Sequence, residues 1–374
     1  MSRQSSHSRW ENYFMRSGEN CSVFWNSYLK DHDRKVLFIL GHGFDPRMCL
    51  GLKMLLQADP NCVKECLLIR YNEGSNSPSL QHMDLVTANN KEIHSLLDQG
   101  FIREVDIPMK SEEGRRIGSR RASDAISWEG LRSFDDIVVD ISAMPRSIYF
   151  PIIAKVLSFL DTTGPEICNI NLHLIVPEEI TLDKNIQEDG IDDEATYIHG
   201  FSSDLVQEST ANVPRIWIPV LGEGKEAQLM RHYDLVRPDE MCPVLPSPSV
   251  NPRRSDDLIS EYREFLFDRL RVEPTNFIYA CEWNPFEVYR QIYRTVERYN
   301  DALKVLGGCK VVVSALSSKL LSVGALLAAY EAKRKGFMVA LSHNETNGYK
   351  IQGSFETYDP KLFSLWIAGE CYNV

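Results

Sequence analysis

No Cys-x-x-Cys pair, no cluster of histidines and acids at metal-ligand spacing, and no apolar run approaching the ~20 residues of a membrane span occurs in this 374-residue chain. These absences leave no expectation of a metal, another cofactor or a membrane partner. Positive charge is also scarce: 41 Lys and Arg against 52 Asp and Glu give a formal net charge of −11 and a pI near 5.4. A protein so acidic is poorly made for gripping a polyanion along its length, so extended nucleic acid is not expected as a partner. The nine cysteines are an odd number, and several fall inside apolar runs where a reduced thiol packs as a small hydrophobe. The opening segment MSRQSSHSRWENYFMRSGENCS lacks the apolar core of a signal peptide, and a cytoplasmic setting is expected.

Several catalytic signatures are missing too. GHGFDP lacks the last glycine of the dinucleotide fingerprint G-x-G-x-x-G, and LGEGKEAQ has Gly-x-Gly-Lys without the spacing of a Walker loop. No G-x-S-x-G pentapeptide marks a hydrolase nucleophile.

What the chain does have is short β-branched apolar runs alternating with longer helical patterns, the signature of an α/β fold with mainly parallel sheets. Strands are expected at Val36–Leu40, Cys66–Arg70, Ile137–Ile141, Leu172–Val176, Arg215–Val220, Asn276–Ala280, Lys310–Ala315 and Phe337–Ser342. Of these Val36–Leu40, Ile137–Ile141, Asn276–Ala280 and Lys310–Ala315 are apolar on both faces and read as interior strands. Helices are expected at Arg47–Ala58, Ser147–Leu160, Ser255–Arg271, Phe286–Val305 and Leu320–Lys335. The pattern divides into an N-terminal extension, residues 1–35, and two Rossmann-like lobes, 36–212 and 213–374. Val236–Arg254, with five prolines, reads as an irregular connection, and polar Met109–Gly130 as a long mobile loop.

Two motifs occur in the same order in each half. LFILGHGFDPRM, with Phe44, Asp45 and Pro46, resembles NFIYACEWNPFEVY, with Trp283, Asn284 and Pro285; DISAMPRS, ending at Arg146, resembles SALSSK, ending at Lys319. The spacings differ, 100 residues from Pro46 to Arg146 but 34 from Pro285 to Lys319, so a pseudo-duplication and a chance likeness of strand-to-helix turns both stay open. Asp45 and Asn284 suit helix N-caps, with proline at the first helical position. Ligands of open α/β sheets sit beyond the carboxyl ends of the strands, where helix N-termini favour anions. A cation in a first helical turn opposes the macrodipole unless something negative is near, which makes Arg146 and Lys319 candidate phosphate contacts. Ser142, Ser317 and Ser318 add hydroxyls to the same loops. His42, Phe44 and Arg47 flank Asp45, and Asn344 follows the last parallel strand, so these complete the candidate ligand set.

A strand, a small polar loop with a basic residue and the helix LLSVGALLAAYEA together resemble the ligand loop of the CRISPR-associated Rossmann-fold (CARF) proteins, with EWNPFEVY similar in placement to their first-strand turn. The resemblance implies a sensor of nucleotide-type ligands in prokaryotic antiviral defence. The leading expectation is a recognition protein that binds a phosphate-bearing nucleotide between two lobes and signals to a protein partner or through a homo-oligomer. Two alternatives stand beside it. One is an enzyme acting on a nucleotide or glycosidic bond with Asp45, His42 and Arg47 as acid, base and anion clamp; the other is a non-catalytic subunit of a larger assembly.

Overall fold

The computed structural model describes residues 8–30, 33–72, 78–163, 169–179, 186–188, 190–202, 212–346, 348–351 and 359–372. The chain forms two compact α/β units. The N-lobe comprises Tyr13–Gly190 and Thr346–Val374, and the C-lobe comprises Met1–Asn12 and Ile191–Glu345.

In the N-lobe the strands are β1 (Phe14–Ser17), β2 (Val36–Gly41), β3 (Val63–Asn72), β4 (Ile102–Pro108), β5 (Asp136–Asp140), β6 (Asn171–Glu178) and, from the chain's C-terminal stretch, β16 (Lys361–Ala368). They make one sheet in the order β1-β16-β6-β5-β2-β3-β4. The pairs from β4 to β6 are parallel, while β16 runs antiparallel to β6 and β1 to β16. The helices used below are α1 (Glu19–Leu29), α2 (Leu50–Ala58), α3 (Pro78–Gln81), α4 (Met83–Leu96), α5 (Gly118–Asp124), α6 (Trp128–Leu131) and α7 (Arg146–Thr163). Phe38, Leu40, Cys66, Leu68 and Val138 share one core with Trp25 of α1, Leu52 and Leu55 of α2 and Ile93 of α4. The sheet order reverses after β4, so a right-handed crossover from β5 to β6 carries α7 to the other face.

The C-lobe strands are β8 (Thr196–Tyr197), β9 (Arg215–Val220), β10 (Glu240–Met241), β11 (Val244–Pro246), β12 (Ile278–Ala280), β13 (Lys310–Ala315) and β14 (Met338–His343), in the order β12-β11-β9-β13-β14-β8, with β10 beside β9. Its helices are α8 (Glu226–Val236), α9 (Arg254–Glu261), α10 (Pro285–Ala302) and α11 (Lys319–Arg334). A further pair, β7 (Ile186–Glu188) with β15 (Tyr349–Ile351), is a separate antiparallel ribbon.

Written by rank along the chain, the five parallel strands of each lobe run 3-2-1-4-5, the doubly wound order, and each is flanked by an antiparallel strand beyond the fifth. The two lobes therefore repeat one topology. The repeat pairs different motifs from those the sequence suggested. The counterpart of β2 is β9, not β12, so LFILGHGFDP corresponds to IWIPVLGEGK and the NP turn of the C-lobe belongs to its third strand. With this pairing the spacing mismatch disappears: 100 residues separate Val36 from its ladder partner Asp136, and 95 separate Arg215 from Lys310.

Five expectations are corrected. Residues 1–35 are no extension: β1 completes the N-lobe sheet, α1 buries Cys21, Trp25 and Leu29 at i, i+4, i+8, and Trp10 is buried in the C-lobe against Tyr289. The lobe boundary lies at 190/191 instead of 212/213, and residues after 345 return to the N-lobe, because β16 finds its partner in β6, far away in sequence. Val236–Arg254 is not a connection between lobes. It supplies the interior strand β11, and its prolines are tolerated because Pro243 contributes only its carbonyl, accepting from the Ile278 N–H at 2.9 Å, while Cys242 donates to Trp217 O at 2.8 Å. Asn276–Ala280 is shortened to β12, an edge strand. Met109–Gly130 likewise contains α5 and the start of α6, with Ala122 and Ile126 buried at i, i+4 and Gly118 lying so close to Met109 that a Cβ there would sit 2.6 Å from its sulfur.

At the amino end of β5 and β6, Asp136 is fully buried and accepts hydrogen bonds from Tyr28 OH (2.6 Å) and faces His173 Nε2 (3.3 Å) and the Arg34 guanidinium (3.4 Å). The rings of Trp25, Trp366 and Tyr28 enclose His173 at 4.9, 4.9 and 5.4 Å. Burial lowers the His173 pKa below the usual 6.5 against the opposing pull of Asp136. The unfolded chain then binds a proton that the folded one refuses, so stability falls as pH drops through 6.5 towards the folded value, by up to about 1.4 kcal/mol per pH unit for one such group. Urea melts from pH 8 to 5 should show this slope, and His173→Phe should flatten it.

Candidate functional site

In the N-lobe the topological switch point lies between β2 and β5, and the loops that leave their carboxyl ends carry His42, Phe44, Asp45, Arg47, Ser142 and Arg146 together. The two loops are in close contact. A Cβ on Gly41 would lie 2.9 Å from Ala143 O, and one on Gly43 would lie 3.2 Å from the same oxygen and 3.0 Å from Tyr71 OH, which itself donates to Ala143 O at 2.7 Å. This approach of backbone to backbone leaves no room for a Cβ at Gly41 and little at Gly43.

α2 begins at Leu50, three residues later than expected, so Asp45 does not cap it. The Asp45 carboxylate instead closes its own turn. Oδ1 accepts from Arg47 N and Nε, both at 2.9 Å, and Oδ2 accepts from Arg47 Nη2 at 2.8 Å. This fork is buried, with Arg47 3% and Asp45 7% exposed. Asn89 of α4 fastens the turn from the other side, donating to Gly43 O and Asp45 O at 2.8 and 2.9 Å. Arg47 therefore enters the site as a neutralised pair and Asp45 as a scaffold carboxylate. Phe44 packs against His82 with centroids 5.0 Å apart, and His42 is half-buried. Burial first, and the nearby Arg70 charge second, hold the His42 pKa down, which keeps its ring neutral at pH 7.

Across the switch point, Ser142 N donates to Asp140 Oδ1 at 2.9 Å. Asp140 shares the sheet face of Val138 and lies against Gly51 of α2, on the side away from α7. Arg146 opens α7 and is half-exposed. Ser147, which the sequence reading missed, follows it; it is 3% exposed, and its Oγ has no hydrogen-bond partner among the described residues. Only its position one residue past a basic helix start could have flagged it.

The equivalent place in the C-lobe lies between β9 and β13. Ser317, Ser318 and Lys319 stand there, and opposite them is the loop Gly222–Lys225, whose Gly-x-Gly-Lys lacks Walker spacing. A Cβ on Gly222 would meet Leu316 O at 2.6 Å, repeating the Gly41–Ala143 approach of the other lobe. Here the loop is closed by acceptors from α9 and just beyond it: Gly224 N donates to Glu261 Oε1 at 2.7 Å, Lys225 N to Tyr262 OH at 2.9 Å, and Tyr262 OH to Gly222 O at 2.5 Å. Glu223 is paired with Arg254, which also bonds Glu282. Trp283 and Asn284 follow the edge strand β12, with β11 and β9 between it and β13. Asn284 does cap its helix, accepting from Phe286 N at 3.1 Å with Pro285 at the first position. Asn344 is a fastener, donating to Asp192 O and Glu194 O at 3.2 and 3.0 Å.

Among the described residues no group of three or more His, Cys, Asp or Glu is placed to hold a metal ion, and no helix is long and apolar enough to cross a membrane. The eight cysteines among them are free thiols; Cys168 lies outside the described residues. No family model and no curated protein matches the chain. Among solved structures it is similar to a functionally unknown protein from Pseudomonas aeruginosa PAO1, at 11% identity over 82% of this chain and 91% of that one, TM-score 0.21. It is also similar to gamma-glutamyl phosphate reductase from Saccharomyces cerevisiae, at 8% identity over 87% and 70%, TM-score 0.18. Neither likeness carries an argument at these scores, which leaves the site itself to carry it.

Proposed function

We propose that the protein is an intracellular recognition module that takes a phosphate-bearing nucleotide-type ligand at the N-lobe switch point and passes its presence to a protein partner, in the manner of the CARF proteins of antiviral defence. One observation carries the reading. Two lobes of the same doubly wound order each place a half-exposed cation at the first residue of the helix after the fourth parallel strand, Arg146 in one and Lys319 in the other. A helix N-terminus and a cation beside it both attract an anion, so each of these helix starts suits a phosphate group. Recognition is favoured over turnover because Asp45, the acid of the enzyme reading, has both oxygens engaged by Arg47.

The test is a panel of mono- and dinucleotides, linear and cyclic, incubated with the purified protein and followed by thermal shift for binding and chromatography for turnover. Binding without product is expected, and Arg146→Ala should weaken it by about tenfold or more without lowering the unfolding midpoint. Product formation would favour the enzyme. No shift with any nucleotide would favour a structural subunit.

A further inference from the structure

We infer that the outer edge of β12 in the C-lobe is a self-association surface, on which a second copy of this chain pairs antiparallel about a two-fold axis at Tyr279. The inference stands apart from the ligand reading above, and it places Trp283, which the N-lobe site leaves unused, beside that surface.

β12 ends its sheet, and the ladder on its inner side decides which backbone groups face outwards. Ile278 N donates to Pro243 O at 2.9 Å and Ala280 O accepts from Ser247 N at 2.8 Å, so Ile278 and Ala280 face β11. The groups of Phe277, Tyr279 and Cys281 therefore face away from it. The donors on either side of Tyr279 are taken by the chain itself. Phe277 N donates to Pro274 O at 3.4 Å and Cys281 N to Glu287 Oε2 at 3.1 Å, while Cys281 O accepts from Asn284 N at 3.2 Å. Tyr279 keeps both its N–H and its C=O without a partner among the described residues. One residue offering one donor and one acceptor is what an isologous antiparallel pair uses, since Tyr279 and its copy exchange both bonds. An unrelated peptide laid along the edge would need the neighbouring donors as well.

The side chains around this edge are apolar and open to solvent. The Tyr279 side of β12 also carries Phe277, two residues earlier, whose ring lies 6.0 Å from that of Phe267 in the helical turn Glu264–Arg269. Tyr279 is 47% exposed, and Phe267, Trp283 and Val250 are exposed as well. Val250 belongs to the same border, because its N–H donates to Glu282 Oε2 at 2.7 Å, beside Trp283. Aromatic side chains set against their own copies across a strand pair stabilise the pairing.

Charge distinguishes this edge from the other long one. β4 ends the N-lobe sheet and bears exposed Arg103, Glu104 and Asp106. Two-fold antiparallel pairing centred on any of these sets a charge against its own copy, and centring on Val105 sets Glu104 against Asp106. Such an edge is protected from self-pairing. Centred on Tyr279, the β12 edge sets Ile278 against Ala280, Phe277 against Cys281, Asn276 against Glu282 and Thr275 against Trp283, with no like charges opposed. The partner that fits is therefore a second copy of the chain, joined edge to edge through the C-lobe.

Sedimentation velocity on the full-length protein without ligand, over a concentration series reaching about 100 μM, tests this. A reversible species of twice the 42.8 kDa chain mass is expected. Tyr279→Lys and Tyr279→Glu, each alone, should weaken the dimer by about tenfold or more, because each sets a charge against its own copy. Mixed in equal amounts the two variants should dimerise again, since residue 279 then faces the opposite charge. Val305→Lys, a change at an exposed apolar residue away from β12, should leave the dimer intact, and the unfolding midpoints of the monomeric variants should stay near that of the wild type. A wild type that remains monomeric would assign the edge to an extended peptide of another protein and overturn the inference. So would a dimer that persists in both Tyr279 variants, or one that the mixture fails to restore.

Discussion

Asp136→Ala is expected to remove about 3–5 kcal/mol of folding stability, because it strips the shared acceptor from a buried charged cluster. The carboxylate is wholly inaccessible and is approached by Tyr28 OH at 2.6 Å, His173 Nε2 at 3.3 Å and Arg34 Nη1 at 3.4 Å. Burial alone would raise its pKa; the hydrogen bonds and charges of His173, Tyr28 and Arg34 outweigh that and hold it below 3.8, so it is ionised in the fold. Alanine leaves a half-buried phenol, an imidazole already lacking a partner on Nδ1, and a guanidinium whose remaining contacts are Glu370 and the face of the Tyr28 ring. Because the folded pKa is depressed, the contribution of Asp136 is present above the unfolded carboxylate value and is lost as pH falls through the folded one. Urea melts at pH 7 measure the loss, and a value under about 1 kcal/mol would show that the cluster is looser than its geometry. The cluster sits at the amino ends of β5 and β6, opposite the switch point, so the surviving folded fraction should still bind ligand.

Gly324→Val should destabilise the C-lobe by about 3 kcal/mol or more, and Gly324→Ala by about 1–3 kcal/mol. A Cβ at this position would fall directly onto the Pro285 carbonyl and 2.7 Å from Val288 Cβ, so α10 and α11 touch through it. The neighbours are fixed: Pro285 and Phe286 belong to the capped start of α10, and Ala325, Ala328 and Ala329 of α11 are buried beside the glycine. The prediction of sign is sharp because intrinsic propensity points the other way. In an open helix alanine gains about 1 kcal/mol over glycine. A variant more stable than the wild type would mean that the two helices do not approach as closely as described.

How much of this was legible in the sequence depends on range. Arg215–Val220 and Lys310–Ala315 were readable to the residue, since a strand buried on both faces is a continuous apolar run. α10 was readable because its apolar positions recur at helical spacing under an Asn-Pro cap. β1 and β16 were not, because an antiparallel pair separated by most of the chain leaves no local trace. Motif likeness also misled: GFDP and WNPF share an aromatic residue, an Asp or Asn and a proline, yet they leave the first and third strands of their lobes, and strand order is not written in either. The true counterpart, GEGK, shares with GHG a glycine pressed against the facing loop, a property of packing that a sequence pattern matched to phosphate fingerprints discards. The place of Arg146 and Lys319 at the starts of α7 and α11 was legible from the apolar helical runs that follow them. Ser147 was not, because a serine in a first turn is unremarkable until its burial and lack of a partner are known.

The central claim is that ligand contacts the loops leaving β2 and β5. Hydrogen–deuterium exchange with mass spectrometry, run with and without the best-binding nucleotide, tests it most directly. Slowed exchange is expected in peptides spanning Gly41–Cys49 and Ile141–Tyr149, with Gly222–Lys225 and Ser317–Leu320 unchanged. Protection confined to the C-lobe loops, or spread over surfaces away from both switch points, would contradict the account.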